Sequence, residues 1–340
     1  MVRYISSRGG VPPCDFEQAL LDGLAGDGGL YLPQSLPRLD RDRLDALRGA
    51  SYQEVAATVL GPFVEGALDE TQLRNLIDKA YAGFDHVAVA PLRQLDANDW
   101  LLELFHGPTL AFKDIALQLL GHLFEHFLAK RGRSVTIVCA TSGDTGAAAI
   151  EACAGRARMT VVILHPHGRI SEVQRRQMTT VAAANVHNIA IEGTFDDCQA
   201  LLKAMFDDQA FRTRLGLAAV NSINWARVVA QAVYYVTCGL ALGAPWRKIA
   251  FAVPTGNFGD VYAGYVAAQI GLPIAQLIVA TNRNDILARF FATGRYAAGD
   301  VHPTISPSMD IQVASNFERL LFDLCDRDGE TVRRLMARFA

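Results

Sequence analysis

Short apolar runs alternate with longer amphipathic stretches over most of the chain beyond residue 130. Five such runs predict buried strands, at 135–140, 160–164, 186–191, 249–253 and 276–280. Each is followed by a stretch whose apolar residues recur at helical spacing. Strands of this kind that alternate with amphipathic helices indicate parallel sheets with helices on both faces. The pattern therefore predicts an α/β fold.

The chain ahead of this region has a different pattern. Residues 1 to about 85 are predicted to be mostly helical with short turns, and 69–82 form one clear helical stretch. Residues 100–105 predict a strand, which the turn 106–109 follows. A long helix is predicted to begin near Lys113 and to end at Gly132.

Three segments follow predicted strands directly, at 106–113, 141–146 and 254–260. Sites in parallel sheets lie outside the carboxyl ends of the strands. The segment 254–260 offers glycines, which let backbone amides approach an anion, and the start of a helix. A phosphate could dock there, but a tight turn with Asp260 as helix cap is the alternative. The segment matches neither the dinucleotide nor the P-loop fingerprint.

The segment 141–146 has the same position after its own predicted strand. Its hydroxyls and amides offer a second anion site, with capping of the helix by Ser142 or Asp144 as the alternative. Lys113 follows Phe112 at the start of an apolar helix, where an apolar flank would lower the pKa of its amine. The alternative is a solvated lysine that pairs with Asp114.

Three other polar groups carry weaker signals. The segment 221–227 is rich in amides and hydroxyls beside an aromatic residue, so a binding site and a capped turn remain equally open. Arg175 and Arg176 are interpreted as solvated, with contact to a substrate phosphate as the alternative. His106 is interpreted as an ordinary turn residue, with no catalytic role.

Charge and composition exclude several classes of protein. The 340 residues are 51% hydrophobic, and 32 basic against 35 acidic residues leave a net charge of −3. This balance predicts no binding to nucleic acid or to an anionic membrane surface. Six scattered cysteines support neither a metal nor a redox motif. With no signal peptide and no membrane span in the pattern, a cytoplasmic protein is expected.

The motifs resemble those of the threonine synthases, in family order from end to end of the chain. The block FHGPTLAFKD at 105–114 is similar to the family's cofactor-lysine motif. Further similar blocks are SRG at 7–9, DGGL at 27–30, SGDTG at 142–146, GTFDDCQ at 193–199, NSINWAR at 221–227, GNFGD at 256–260 and SPSMDI at 306–311. Together they are similar to the longer bacterial and fungal branch.

The resemblance implies a fold-type II pyridoxal-phosphate enzyme, similar in fold to the tryptophan synthase β chain. It implies an N-terminal domain at 1–85, a large cofactor domain at 86–128 and 215–340, and a small domain at 129–214. Lys113 would carry the cofactor. The cofactor phosphate would be held by Gly256, Asn257, Phe258, Gly259 and Asp260. Contacts with the substrate would come from Ser142, Gly143, Asp144, Thr145, Gly146, Asn221, Ser222, Asn224 and Arg227.

The implied reaction converts O-phospho-L-homoserine and water to L-threonine and phosphate, the last step of threonine biosynthesis. The enzyme would be a carbon–oxygen lyase that acts on phosphates, without a metal, and either a monomer or a dimer. Relatives continue past residue 340, where they carry a group that contacts the pyridine nitrogen, so poor turnover is expected. The alternatives are another fold-type II lyase or β-replacement enzyme, and an impaired fragment that binds pyridoxal phosphate or a phosphorylated metabolite.

Overall fold

The computed structural model describes residues 1–141, 143–218 and 223–339. The strands are β1 (Tyr4–Ser6), β2 (Tyr31–Pro33), β3 (Leu92–Gln94), β4 (Trp100–Leu102), β5 (Val135–Ala140), β6 (Met159–Pro166), β7 (Val186–Ile191), β8 (Leu217–Ala218), β9 (Ile249–Pro254) and β10 (Ile274–Ala280). The helices are α1 (Phe16–Asp22), α2 (Arg41–Ala46), α3 (Tyr52–Val64), α4 (Glu70–Tyr81), α5 (Lys113–Arg131), α6 (Asp144–Cys153), α7 (Glu172–Thr179), α8 (Phe195–Asp207), α9 (Gln209–Leu215), α10 (Trp225–Ala241), α11 (Gly259–Gln269), α12 (Ile286–Thr293), α13 (Phe317–Leu324) and α14 (Gly329–Phe339).

The chain divides into two compact units, each built from separate pieces of sequence. Unit 1 comprises residues 1–74, 94–102 and 222–340, and unit 2 comprises 75–93 and 103–221. The predicted division into domains at 1–85, 86–128 with 215–340, and 129–214 is a different partition of the chain and stays a prediction.

Unit 2 contains a four-stranded sheet in the order β7, β6, β5, β8, and the strands are parallel. The β-branched residues of β5 suit the pleated surface, and Ile137 is fully buried within it. Helix α5 runs from Lys113 to the left-handed Gly132, where the predicted helix also ends. The predicted alternation of parallel strands and helices is confirmed here.

Unit 1 contains the parallel pair β9 and β10, in register from Phe251 opposite Leu277 to Pro254 opposite Ala280. Helix α10 packs against α3 and α11, and most of its residues are buried. Trp225, the first residue of α10, lies with its ring 5.8 Å from that of Phe63.

The N-terminal region is mainly helical, as predicted, and it also contains the antiparallel pair β1 and β2. Strands of three residues are too short to show a periodic pattern in the sequence. Buried Arg319 of α13 donates to the carbonyl oxygen of Tyr31 at 2.9 Å and 3.1 Å. Arg8 forms an ion pair with buried Glu318 at 2.9 Å. These contacts fasten the first strands to the far end of the chain.

Within the described ranges, every helix is too short or too polar to cross a bilayer. The same ranges contain no group of three or more histidine, cysteine, aspartate or glutamate side chains arranged to bind a metal ion.

Candidate active site

Lys113 is the first residue of α5 and is buried, with 9% of its surface exposed. Its ammonium group contacts the Asp144 carboxylate, the first residue of α6, and lies 4.6 Å from the ring centre of Phe112. The packing of α5 against α6 brings together these two residues from 31 positions apart. A helix N-terminus disfavours a cation, and the carboxylate offsets this cost.

The alternative of a solvated lysine paired with Asp114 is wrong. Asp114 is fully buried and turns back to the preceding loop, where it accepts from the Thr109 amide at 2.8 Å and the Thr109 hydroxyl at 2.6 Å. Burial raises the pKa of the Asp114 carboxyl, while the hydrogen bonds from Thr109 oppose the shift. A side chain at Gly107 would collide with Asp114. The motif residues around Lys113 therefore fix the turn that presents it.

The segment 141–146 begins at the carboxyl end of β5, as predicted, and leads into α6. Buried Thr141 organises it, because its hydroxyl oxygen accepts from the amides of Gly143 and Gly146, each at 3.0 Å. The Thr145 amide donates to Asp144 at 2.8 Å. Three amides of the predicted substrate site thus donate to acceptors within the segment. To bind a substrate carboxylate, these amides would have to give up those hydrogen bonds. Ser142 lies outside the described residues.

The segment 254–260 begins at the carboxyl end of β9 and leads into α11. A Cβ atom at Gly256 would lie 3.0 Å from Ile311 Cδ1 and 3.2 Å from Met309 Cα, so only glycine fits without displacement. Phe258 adopts a left-handed backbone with φ of 64° at the N-cap of α11. Its buried ring packs against Phe317 at 5.7 Å. Such a conformation in a bulky residue is strained and is characteristic of functional loops.

The carboxylate of Asp260 is held by two tyrosines of α10. Its Oδ1 accepts from the hydroxyl of Tyr235 at 2.8 Å and from that of Tyr234. Burial, together with the Asp260 charge, raises the pKa of both phenols well above the usual range, so they remain protonated donors. The alternative of Asp260 as helix cap is wrong, because the cap residue is Phe258.

Two observations support the predicted anion site at 256–260. The start of α11 presents backbone amides, and the carboxylate of Asp260 is hydrogen-bonded to two phenols of α10. Phe258, the cap residue, has no polar group to occupy those amides. Lys113 in unit 2 as the anchor of the cofactor's aldehyde and the segment 256–260 in unit 1 as the anchor of its phosphate stay predictions.

The described part of the segment 221–227 has structural partners. Buried Asn224 caps α10 by accepting from the Ala226 amide at 3.0 Å, and it donates to the Leu20 carbonyl oxygen at 2.8 Å. Arg227 is buried within α10, with 3% exposure. Asn221 and Ser222 lie outside the described residues. Substrate contact by these four residues stays a prediction.

The remaining polar candidates are accounted for by surface contacts. Arg175 and Arg176 form ion pairs with Glu172 at 2.7 Å and 2.8 Å. All three side chains are exposed to solvent, as predicted for the two arginines. His106 contacts Glu103 at 2.9 Å in its turn.

Sequence reasoning missed two features of the site. Thr141 and the tyrosine pair, Tyr234 and Tyr235, carry no motif of their own. Thr141 has one available signal, a hydroxyl directly after a buried strand. The tyrosines lie inside an apolar helix, and nothing along the chain connects them with Asp260.

Two family models match the chain. Residues 3–81 match the threonine synthase N terminus, and residues 84–336 match the pyridoxal-phosphate dependent enzymes. The chain is 58% identical to the threonine synthase of Pseudomonas aeruginosa, over 99% of this chain and 72% of that protein. It is 46% identical to the threonine synthase of Schizosaccharomyces pombe, over 95% of this chain and 67% of that protein.

Solved structures agree with these matches. The structure of threonine synthase from Brucella melitensis with bound pyridoxal phosphate has a TM-score of 0.97 at 56% identity, over 99% of this chain and 73% of that one. The yeast threonine synthase has a TM-score of 0.92 at 42% identity, over 99% and 70%. The prediction of a fold-type II enzyme that uses pyridoxal phosphate is confirmed. This chain belongs to the threonine synthase family.

Proposed function

We propose that this chain converts O-phospho-L-homoserine and water to L-threonine and phosphate in the cytoplasm. The observation that carries the proposal is the buried Lys113, whose amine lies against the Asp144 carboxylate in the motif that resembles the family's cofactor-lysine block. The family match supplies the class of reaction. The near-balance of charge supports a small-molecule substrate rather than nucleic acid.

Lys113 has two tasks in the proposed mechanism. Its amine would hold the cofactor, and the same amine would move protons at Cα and Cβ of the substrate. When bound, pyridoxal phosphate supplies an electron sink next to the substrate's amine-bearing carbon. The Asp144 carboxylate stabilises the ammonium form of Lys113, so it helps the lysine to hold the proton it has taken.

The segment 256–260 is proposed to hold the cofactor phosphate through backbone amides and the positive end of the α11 dipole. Asp260 then contributes its amide, since its carboxylate is directed to Tyr235. The segment 141–146 is proposed to bind the substrate carboxylate, with Gly143 and Gly146 releasing Thr141 when the substrate arrives.

Phosphate release from O-phospho-L-homoserine tests the proposed reaction. Purified protein with pyridoxal phosphate should release inorganic phosphate and form threonine in equal amounts. Parallel assays with threonine, serine and O-acetylserine test the alternative of another lyase or β-replacement enzyme. Turnover of one of these substrates, with no release of phosphate from O-phospho-L-homoserine, would favour that alternative. Binding of the cofactor without turnover of any substrate would favour the impaired fragment.

Replacing Asp144 with alanine should slow turnover or raise the apparent binding constant for the substrate while the cofactor content is preserved. We expect turnover to slow by about tenfold or more, part of the 10²- to 10⁴-fold that a positioned acid–base group contributes. Asp144→Asn is the matched variant, because it keeps the shape and removes the charge beside Lys113. Steady-state kinetics and absorbance of bound cofactor measure the two effects. A fall in cofactor content with unchanged substrate handling would reverse the assignment of the two loops.

A further inference from the structure

A polar cluster lies directly beyond the carboxyl end of β10, and two of its members belong to the block SPSMDI at 306–311, to which no role was assigned above. We name it the Asp310 cluster, and its members are Asn282, Asn284, Thr304, Ser306 and Asp310. Asp310 Oδ1 accepts from Asn282 at 2.8 Å, from Asn284 at 3.1 Å and from the Thr304 hydroxyl at 2.6 Å. Its Oδ2 accepts from the Thr304 amide at 2.9 Å.

The cluster closes on itself and fixes the backbone around it. Asn284, which is buried, donates to the His302 carbonyl oxygen at 2.8 Å and accepts from the His302 amide at 2.8 Å. Asn282 donates to Ser306 at 3.0 Å. The segment 302–310 is therefore attached to the end of β10 at several points, with the Asp310 carboxylate at the centre. Hydrogen bonds to an ionised acceptor are stronger than those between neutral groups.

The chain that leaves this cluster runs along the segment 256–260, which we name the phosphate loop, and contacts its residues one after another. Met309 and Ile311 lie within 3.2 Å of the position that a Cβ of Gly256 would take. The Asn316 amide donates to the Asn257 carbonyl oxygen at 3.0 Å. The ring of Phe317 packs on that of Phe258. Three successive residues of the loop are thus placed by the segment 309–317. The Thr255 amide also donates to the Ala280 carbonyl oxygen at 2.7 Å, which joins the loop to the end of β10.

We propose that Asp310 is a positioning residue for the phosphate loop, and that it sets the affinity of the chain for the cofactor's phosphate group. It does so by holding the segment 302–311 against Gly256, without itself touching the cofactor. The inference rests on the proposed role of 256–260 as the phosphate site. The cluster affects binding of the cofactor's phosphate group, whereas binding of the ring depends on Lys113.

Titration of Asp310→Asn with pyridoxal phosphate and with pyridoxal separates these contributions, because pyridoxal has the same ring and aldehyde but no phosphate. We expect the dissociation constant for pyridoxal phosphate to rise about tenfold, the equivalent of one lost charge-assisted hydrogen bond. The constant for pyridoxal should change by less than about twofold, since the ring attaches through the amine of Lys113. Cofactor absorbance gives both constants without an activity assay.

Asp285→Ala is the control, because it removes the neighbouring ion pair with Arg289 and leaves the cluster intact. If Asp310→Asn does not fold, Thr304→Val removes the four hydrogen bonds of the Thr304 hydroxyl within the cluster at nearly the same side-chain size. An equal loss of affinity for both ligands, or no loss for either, would overturn the positioning role. Gly256→Val reports on the phosphate loop itself: if it binds pyridoxal phosphate normally, the loop assignment fails. If Gly256→Val binds pyridoxal phosphate weakly and Asp310→Asn binds it normally, the phosphate loop keeps its assignment and only the role of Asp310 is refuted.

Discussion

Lys113→Ala is expected to abolish the visible absorption of the lysine-bound cofactor and to lower turnover by roughly 10³-fold or more. The amine both attaches the cofactor and moves protons, so one change removes two functions. The variant also removes the ion pair between Lys113 and Asp144. Absorbance of the protein after addition of pyridoxal phosphate, and phosphate release from O-phospho-L-homoserine, measure the two losses.

Lys113→Arg distinguishes the amine from the charge. Arginine keeps a cation beside Asp144 but stays protonated at neutral pH, so it offers no nucleophile. Both variants should be inactive, whereas Lys130→Ala at the exposed end of the same helix should behave like the parent. Borohydride reduction that still fixes the cofactor to a lysine in Lys113→Ala would refute the assignment.

Gly256→Val is expected to weaken binding of pyridoxal phosphate by roughly 100-fold, the equivalent of about 2.7 kcal/mol. Its Cβ would lie 3.0 Å from Ile311 and 3.1 Å from the Met309 sulfur, and valine adds two further methyl groups at this tight contact. The loop must then move, and its amides with it. Equilibrium titration followed by cofactor absorbance gives the change in the dissociation constant.

Two further variants control for the glycine substitution. Gly256→Ala should have a smaller effect, because one methyl group requires a displacement of only a few tenths of an ångström. Gly83→Val tests a glycine with open space around it and should leave binding unchanged. Normal affinity in Gly256→Val would send the phosphate to another part of the protein. The variants should keep their circular dichroism spectra, so that lost binding is not lost folding.

The sequence predicts that the glycines at 256 and 259 let backbone amides approach an anion closely. Neither glycine has a positive φ, and the left-handed residue of the loop is Phe258. Close packing against Met309 and Ile311 is the reason that the structure supplies for Gly256. Residue type alone identified the loop but not which residue has the strained backbone.

The parallel strands were predictable because burial on both faces produces continuous apolar runs, as in 135–140. The predicted strand at 100–105 proved shorter, ending at Leu102. Lys113 was predictable from its motif. Its contact with Asp144 was not, because it depends on how two helices pack rather than on spacing along the chain. The same holds for Asp260, whose tyrosine partners lie 25 and 26 positions away.

The contacts between the first strands and α13 join parts of unit 1 that are synthesised at different times. Arg319 bonds to Tyr31 across 288 positions, while the segment 103–221 of unit 2 is continuous and emerges earlier. At typical elongation rates, roughly 15 to 60 s separate the synthesis of Tyr31 from that of Arg319. For that interval β2 can pair with β1, but the Tyr31 carbonyl oxygen lacks the Arg319 guanidinium that binds it in the folded chain. A nascent chain halted before residue 319 therefore lacks the hydrogen bonds that join its N-terminal region to α13.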